Sequence, residues 1–108
     1  MGGDRLDGYR LHPEAERDLE AIWRFTAERW SGEQADRYFA DLLRTFELLV
    51  RYPEIAVERA ELRPPARLHR HRSHVVIYRV EVPWLAVVRV LHMRQNWQQL
   101  ASTGSEEG

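Results

Sequence analysis

Tyr9 and Leu11 alternate with Arg10 and His12, a two-residue period that predicts a short strand over residues 8 to 12. Pro13 follows, and proline suits the first position of a helix, where its missing N–H would have had no intrahelical partner. From Ala15 the positions Leu19, Ile22, Trp23, Thr26 and Trp30 recur at mostly three- and four-residue spacing, with Arg17, Glu20, Arg24 and Glu28 elsewhere. This predicts an amphipathic helix ending near Trp30. Ser31-Gly32-Glu33-Gln34 interrupts the pattern and offers a capping box: the Ser31 hydroxyl can accept from the Gln34 N–H while the Gln34 side chain reaches back. A second stripe, Ala35, Tyr38, Phe39, Leu42, Leu43, Phe46, Leu49 and Val50, defines a second helix with a broader apolar face, which Pro53 ends.

Two amphipathic helices joined by so short a break form an antiparallel hairpin that must bury its shared face against another element. Residues 54 to 66, with Pro64-Pro65 and little periodicity, read as a loop; Ala66 to Arg70 reads as a short strand and Arg72-Ser73 as a turn. The β-branched runs His74–Glu81 and Leu85–His92, separated by Val82-Pro83-Trp84, predict a β-hairpin at the sheet centre. Residues 94 to 100 are expected to add one or two helical turns. The fold class is therefore α+β: an N-terminal strand, a two-helix antiparallel hairpin packed on a mainly antiparallel sheet, and a short C-terminal helical segment. Residues 1–7 are expected to be disordered or an expression remnant, 8–100 a single domain, and 101–108 a flexible tail.

The chain of 108 residues has room for one modest core, which excludes separate cofactor and substrate lobes. Cysteine is absent, so disulfides and thiolate zinc sites are excluded. No apolar run approaches the roughly 18 residues needed to span a bilayer, and no signal-peptide core opens the chain, so a cytoplasmic protein without membrane contact is expected. All 16 cationic residues are arginine, so any cationic role in catalysis or phosphate binding falls to arginine or protonated histidine. Charge divides along the chain: residues 1 to 58 carry −5, residues 59 to 94 carry +6, and the tail carries −2. The basic block also holds His69, His71, His74 and His92. An anionic partner at that half and pairing with the acidic half inside the fold are both compatible with these counts.

Several local strings, in order, give the chain a family likeness. They are Tyr9-Arg-Leu, Ala15 with Asp18-Leu19 and Ile22-Trp23, Arg29-Trp30-Ser31-Gly32 with Gln34-Ala35, and Tyr38. Pro53, Leu62-Arg63, Ser73-His74-Val75-Val76 with Tyr78-Arg79, and Val88-Arg89-Val90-Leu91-His92 continue the series. The chain resembles the ParE branch of the RelE/ParE toxin superfamily of bacterial type II toxin–antitoxin systems. The resemblance implies a toxin that binds and inhibits DNA gyrase and is neutralised by a cognate ParD-like antitoxin in a hetero-oligomer. RelE-type relatives instead cut mRNA on the ribosome, which is the alternative function; an inactive, antitoxin-binding homologue is a third. Two positions depart from the pattern. His92-Met93-Arg94 is followed by Gln95-Asn96 in place of a carboxylate, and Arg72 precedes Ser73 where glycine is common. If that turn needs positive φ, arginine carries a steric cost that glycine does not.

The runner-up nuclease cluster is Arg89, His92 and Arg94, since RNA cleavage needs a proton acceptor for the 2′-OH and cations for the developing phosphate charge. Arg79 and Arg89 are possible neighbours on adjacent strands, although the register is not fixed by sequence. The chain has no lysine, and no tyrosine after Tyr78, which argues for action by binding rather than catalysis. The candidate antitoxin contacts are Arg63, Arg67, Arg70, Arg79 and Trp84, facing acids of a segment that folds on contact. The candidate target contacts are Arg94, Gln95, Asn96 and Trp97. Direct nucleic-acid binding is expected only under the nuclease alternative. Trp23 and Trp30 are expected to pack within the helix hairpin. The His69-Arg70-His71-Arg72 run with His74 is expected to be a solvated basic edge rather than a metal site, because no carboxylate lies nearby in sequence and the arginines repel a cation. No metal or organic cofactor is expected.

Overall fold

A computed structural model describes residues 5–95. The elements are β1 (Gly8–Leu11), α1 (Pro13–Arg29), α2 (Gly32–Arg51), β2 (Glu58–Arg59), β3 (Ala66–His71), β4 (His74–Glu81) and β5 (Trp84–His92). The five strands form one sheet in the order β1-β5-β4-β3-β2. β1 runs parallel to β5, and the other pairings are antiparallel. The α+β architecture read from the sequence is thus present, with one strand more than the periodicity indicated. β2 has only two residues, too few for any alternation to register.

Proline at N1 and the acidic pair Glu14 and Glu16 start α1. The Ser31 hydroxyl accepts the Gln34 N–H at 3.0 Å to start α2. Only that half of the capping box forms, because the Gln34 side chain accepts from Arg37 instead. The helix hairpin lies on one face of the sheet. Leu42, Phe46 and Leu49 of α2 and Ala15 and Leu19 of α1 meet Val76, Tyr78, Leu85, Val87 and Val90 there. Each of the large side chains contributes about 1.5–3 kcal/mol by leaving water. Tyr9 of β1 meets Phe46 edge to face at 5.3 Å.

β4 is buried on both faces. Val75 and Ile77 point away from the helices into a second, smaller cluster with Leu62, Ala66 and Leu91. This double burial explains why its sequence reads as a continuous apolar run instead of alternating. Between β4 and β5 the register shifts: Ile77 stands opposite Arg89 and Tyr78 opposite Val87, leaving Val88 without a partner across the ladder. Such a bulge turns the side chains that follow it.

Three sequence expectations change. Trp84 is the first residue of β5, paired with Glu81, and the turn is Val82-Pro83 alone. Trp30 caps α1 with its ring 68% exposed, because the chain turns away before the indole can reach the hairpin interface. Trp23 remains at the hairpin, donating from Nε1 to Asp36 of α2 at 3.0 Å, but is itself 38% exposed. Of the expected C-terminal helix, only residues 94 and 95 are described, and they form a turn; the remainder lies outside the described residues.

Candidate functional site

The sheet face opposite the helices carries three of the five residues singled out for antitoxin contact. Alternation places Arg70 of β3, Arg79 of β4, Trp84 and Ala86 of β5 and Arg10 of β1 on it. The register sets the small side chain of Ala86 between Arg79 on one neighbouring strand and Arg10 on the other. Arg10 lies over the Trp84 ring at 4.4 Å, a cation–π contact worth about 0.5–1 kcal/mol where exposed. Gly8 stands opposite Trp84, where a Cβ would sit 3.5 Å from the indole, in ordinary contact. Arg79 is held by Glu81 at 2.9 and 3.1 Å. Arg70, four residues of strand and about 13 Å further along, donates to the Arg72 carbonyl. Arg67 points to the helix side and donates to the Ala56 carbonyl, tying down the chain after α2. Arg63 is exposed in the loop between β2 and β3. The fold therefore brings Arg70, Arg79 and Trp84 to one face and separates Arg67 and Arg63 from them.

Arg89, His92 and Arg94 do not converge. The bulge at Val88 turns Arg89 toward α1, where its guanidinium makes a two-point contact with Asp18 at 2.8 and 3.0 Å. Asp18 also accepts the Val90 N–H at 2.9 Å, and Glu14 lies 3.4 Å from the guanidinium. The Asp18 hydrogen bonds, with the Asp18 and Glu14 charges, hold the Arg89 charge firmly and push its pKa up against the opposing effect of burial. Arg79 stands opposite Ala86, so it is not the neighbour of Arg89 that sequence left open. Arg94 and Gln95 are exposed in the turn after β5. Asn96 and Trp97 lie outside the described residues.

His92 organises that turn. Its Nδ1 accepts the Arg94 N–H at 3.0 Å, its own N–H donates to the Gln95 side chain at 2.8 Å, and its carbonyl accepts the Gln95 N–H. Its ring meets His74 at 5.3 Å. His74 Nδ1 is 2.6 Å from the Tyr38 hydroxyl of α2, and His71 Nδ1 is 2.9 Å from the Thr45 hydroxyl about two helical turns further on. The expected solvated edge is thus a half-buried corner, because β3 turns His69 and His71 toward the helices. Burial lowers the pKa of His69, His71 and His74, with His74 brought down to about 4 by burial and then by His92 and His71. Among the described residues no group of three histidines or carboxylates is arranged to hold a metal ion. Sequence reasoning missed Tyr38 and Thr45 as partners of these rings; Tyr38 stood in the apolar stripe and among the family strings, and neither signal says what its hydroxyl meets.

The Arg72-Ser73 turn closes this corner, with Arg72 at φ 57°. Positive φ at the first turn position alone is the pattern of a type II′ hairpin, which glycine enters more cheaply. A groove of about 720 Å³ between α1, α2 and β1 is floored by Leu11, Leu19, Trp23 and Phe39 and edged by Glu16 and Asp36.

A helix hairpin on one face of a mainly antiparallel sheet, with a parallel N-terminal edge strand, is a fold already seen in a solved structure. A solved chain from the chromosomal ParDE toxin–antitoxin system of P. aeruginosa superposes with a TM-score of 0.71 at 16% identity, over 83% of this chain and 98% of that one. The sequence comparison is more specific. Residues 9–97 match the profile of the ParE toxin of type II toxin–antitoxin systems. Toxin ParE1 of Caulobacter vibrioides is 39% identical over 88 residues, covering 82% of this chain and 91% of the relative. Toxin ParE1 of Mycobacterium tuberculosis is 37% identical over 89 residues, with the same two coverages, and toxin ParE of Escherichia coli is 34% identical over 93 residues, covering 84% and 89%. The chain belongs to the ParE toxin family of type II toxin–antitoxin systems.

Proposed function

We propose that this ParE-family toxin acts in the cytoplasm by binding and inhibiting DNA gyrase, and that a ParD-like antitoxin neutralises it in a hetero-oligomer. The observation that carries this reading is the family match across residues 9–97, which spans both helices and, but for Gly8, all five strands. Arg89 counts against the ribonuclease alternative: its guanidinium is engaged by Asp18 and Glu14, so reaching a scissile phosphate would require breaking a contact that joins α1 to β5. The antitoxin segment would lay its acids against the outer sheet face at Arg70, Arg79 and Trp84, with Arg63 and Arg67 beyond its margin. The exposed turn carrying Arg94 and Gln95, continuing into Asn96 and Trp97, is the proposed target contact. No helix among the described residues is long and apolar enough to cross a membrane.

The test is supercoiling of relaxed plasmid by purified gyrase in the presence of the toxin, with the antitoxin as control. Antitoxin-reversible loss of supercoiling, or accumulation of cleaved DNA, is the expected result. Normal supercoiling at excess toxin, with mRNA cut in a ribosome assay, would overturn it. Charge reversal at Arg70 and Arg79 together should weaken antitoxin capture without altering gyrase inhibition.

A further inference from the structure

The imidazoles at the open end of the sheet do more than fill space. His71 comes from the end of β3, His74 from the start of β4 and His92 from the end of β5; α2 reaches the first two through Tyr38 and Thr45, and His92 joins them through the His74 ring. Rings of His74 and His92 are 5.3 Å apart, and the Tyr38 ring is 5.5 Å from His71 and 5.6 Å from His74. Every element of the corner is tied by one of these side chains. The bond from the Arg94 N–H to His92 Nδ1 further requires that nitrogen to be unprotonated, since a doubly protonated imidazole has no acceptor.

We propose that His71 and His74, clamped by Tyr38 and Thr45 of α2, together with His92 packed on His74, form an acid-sensitive latch that holds the β3–β4 turn and the turn carrying Arg94 and Gln95 in place. The charges around the latch favour release once a ring takes up a proton. On α2 the facing carboxylate is Asp41, already shared between Arg44 and Arg72. The β3–β4 turn brings Arg72, β3 brings His69, and Arg94 follows β5. From α1, Asp18 is committed to Arg89 and the Val90 N–H. A second or third cation within about 5.5 Å of the first therefore meets arginines and other imidazoles with no free carboxylate among the described residues to balance it.

Direction follows from linkage. The closed corner keeps the His74 ring neutral down to about pH 4, against about 6.5 in an open one, so the closed form binds fewer protons. Closure is complete above the ordinary imidazole range and weakens as pH falls from about 6.5 toward about 4. Each coupled proton multiplies the opening equilibrium by about tenfold per pH unit in that window. The latch is independent of which target the toxin engages, although it governs the turn that carries the proposed contact.

The experiment is NMR of the full chain from pH 7.5 to 4.5, following imidazole nitrogens and amide exchange corrected for its intrinsic pH dependence. The His74 ring should stay neutral well below the ordinary imidazole range. Amides of His74, Met93 and Arg94 should lose protection by at least about tenfold per pH unit below 6.5, while Val80 and Leu85 at the other end of the same strands keep theirs. His74→Phe should at least halve this local acid sensitivity on a logarithmic scale, leaving what His71 and His92 contribute. If that variant fails to fold, His92→Gln, which removes one neighbouring cation and keeps a side-chain acceptor, should at least halve the loss of protection per pH unit on a logarithmic scale. His74 titrating in the ordinary imidazole range, protection lost uniformly over the sheet, or acid opening unchanged in the variant that folds would each overturn the latch.

Discussion

Asp18→Ala removes the partner of a mostly buried guanidinium. In the native fold the Arg89 and Asp18 side chains are only 15% and 13% exposed, and one Asp18 oxygen serves both Arg89 Nε and the Val90 N–H. Truncation leaves Arg89 with Glu14, which is more than half exposed and 3.4 Å away, and leaves the Val90 N–H with no side-chain acceptor. Breaking a fully buried pair from one side costs about 3–5 kcal/mol, and the residual exposure together with Glu14 reduces that to about 2–4 kcal/mol here. For a domain of this size each kcal/mol lowers Tm by roughly 4–8 °C, so a fall on the order of 10–25 °C is expected in a thermal melt followed by circular dichroism. Asp18→Asn, which keeps one acceptor, should fall by less. The double variant Asp18→Leu with Arg89→Met should recover part of the loss, because no charge is then left stranded. A change below about 0.5 kcal/mol for Asp18→Ala is what an exposed ion pair gives, and would refute the assignment of this pair as the clamp between α1 and the bulge in β5.

Two further substitutions test local readings. Arg72→Gly relieves a side chain held at φ 57° and gives up only a long, exposed contact to Asp41, so a gain of about 0.5–1 kcal/mol and a Tm a few degrees higher are expected; a lower Tm would mean that the Asp41 pairing outweighs the backbone cost. Tyr78→Phe deletes the hydroxyl that donates to the Pro53 carbonyl at 2.8 Å from a fully buried ring, and should cost about 1–2 kcal/mol in urea unfolding; an unchanged midpoint would show that this carbonyl finds another donor.

The helices and long strands were legible in the sequence because their signals are local. Pro13, Ser31 and Pro53 mark helix ends through backbone chemistry that acts within one turn. β4 announced its double burial through an unbroken apolar run. What was not legible depends on register. Whether Arg67 or Arg70 faces the helices is decided by which residue of β3 stands opposite Ile77, and nothing within β3 itself sets that. The cost of positive φ at Arg72 was foreseeable only as a condition, since the turn type follows from the pairing of His71 with His74.

Arg89 shows most clearly why residue type is weaker evidence for chemistry than placement. As a cation near two others in sequence, it fits the electrostatic part of phosphoryl chemistry as well as any residue in the chain. One unpaired residue, Val88, turns it onto a carboxylate 71 positions earlier, and the same oxygen that neutralises it also anchors the backbone at Val90. A catalytic cation must be free to meet charge that develops on a substrate, whereas this one meets charge already present in the ground state. His92 repeats the argument on a smaller scale: its Nδ1 lone pair, which a general base would need, supports the turn that presents Arg94 and Gln95. The side chains best suited by type for cleavage thus hold the fold together, while Arg70, Trp84 and Arg94 stand where a macromolecular partner could reach them, and this division favours a toxin that works by binding.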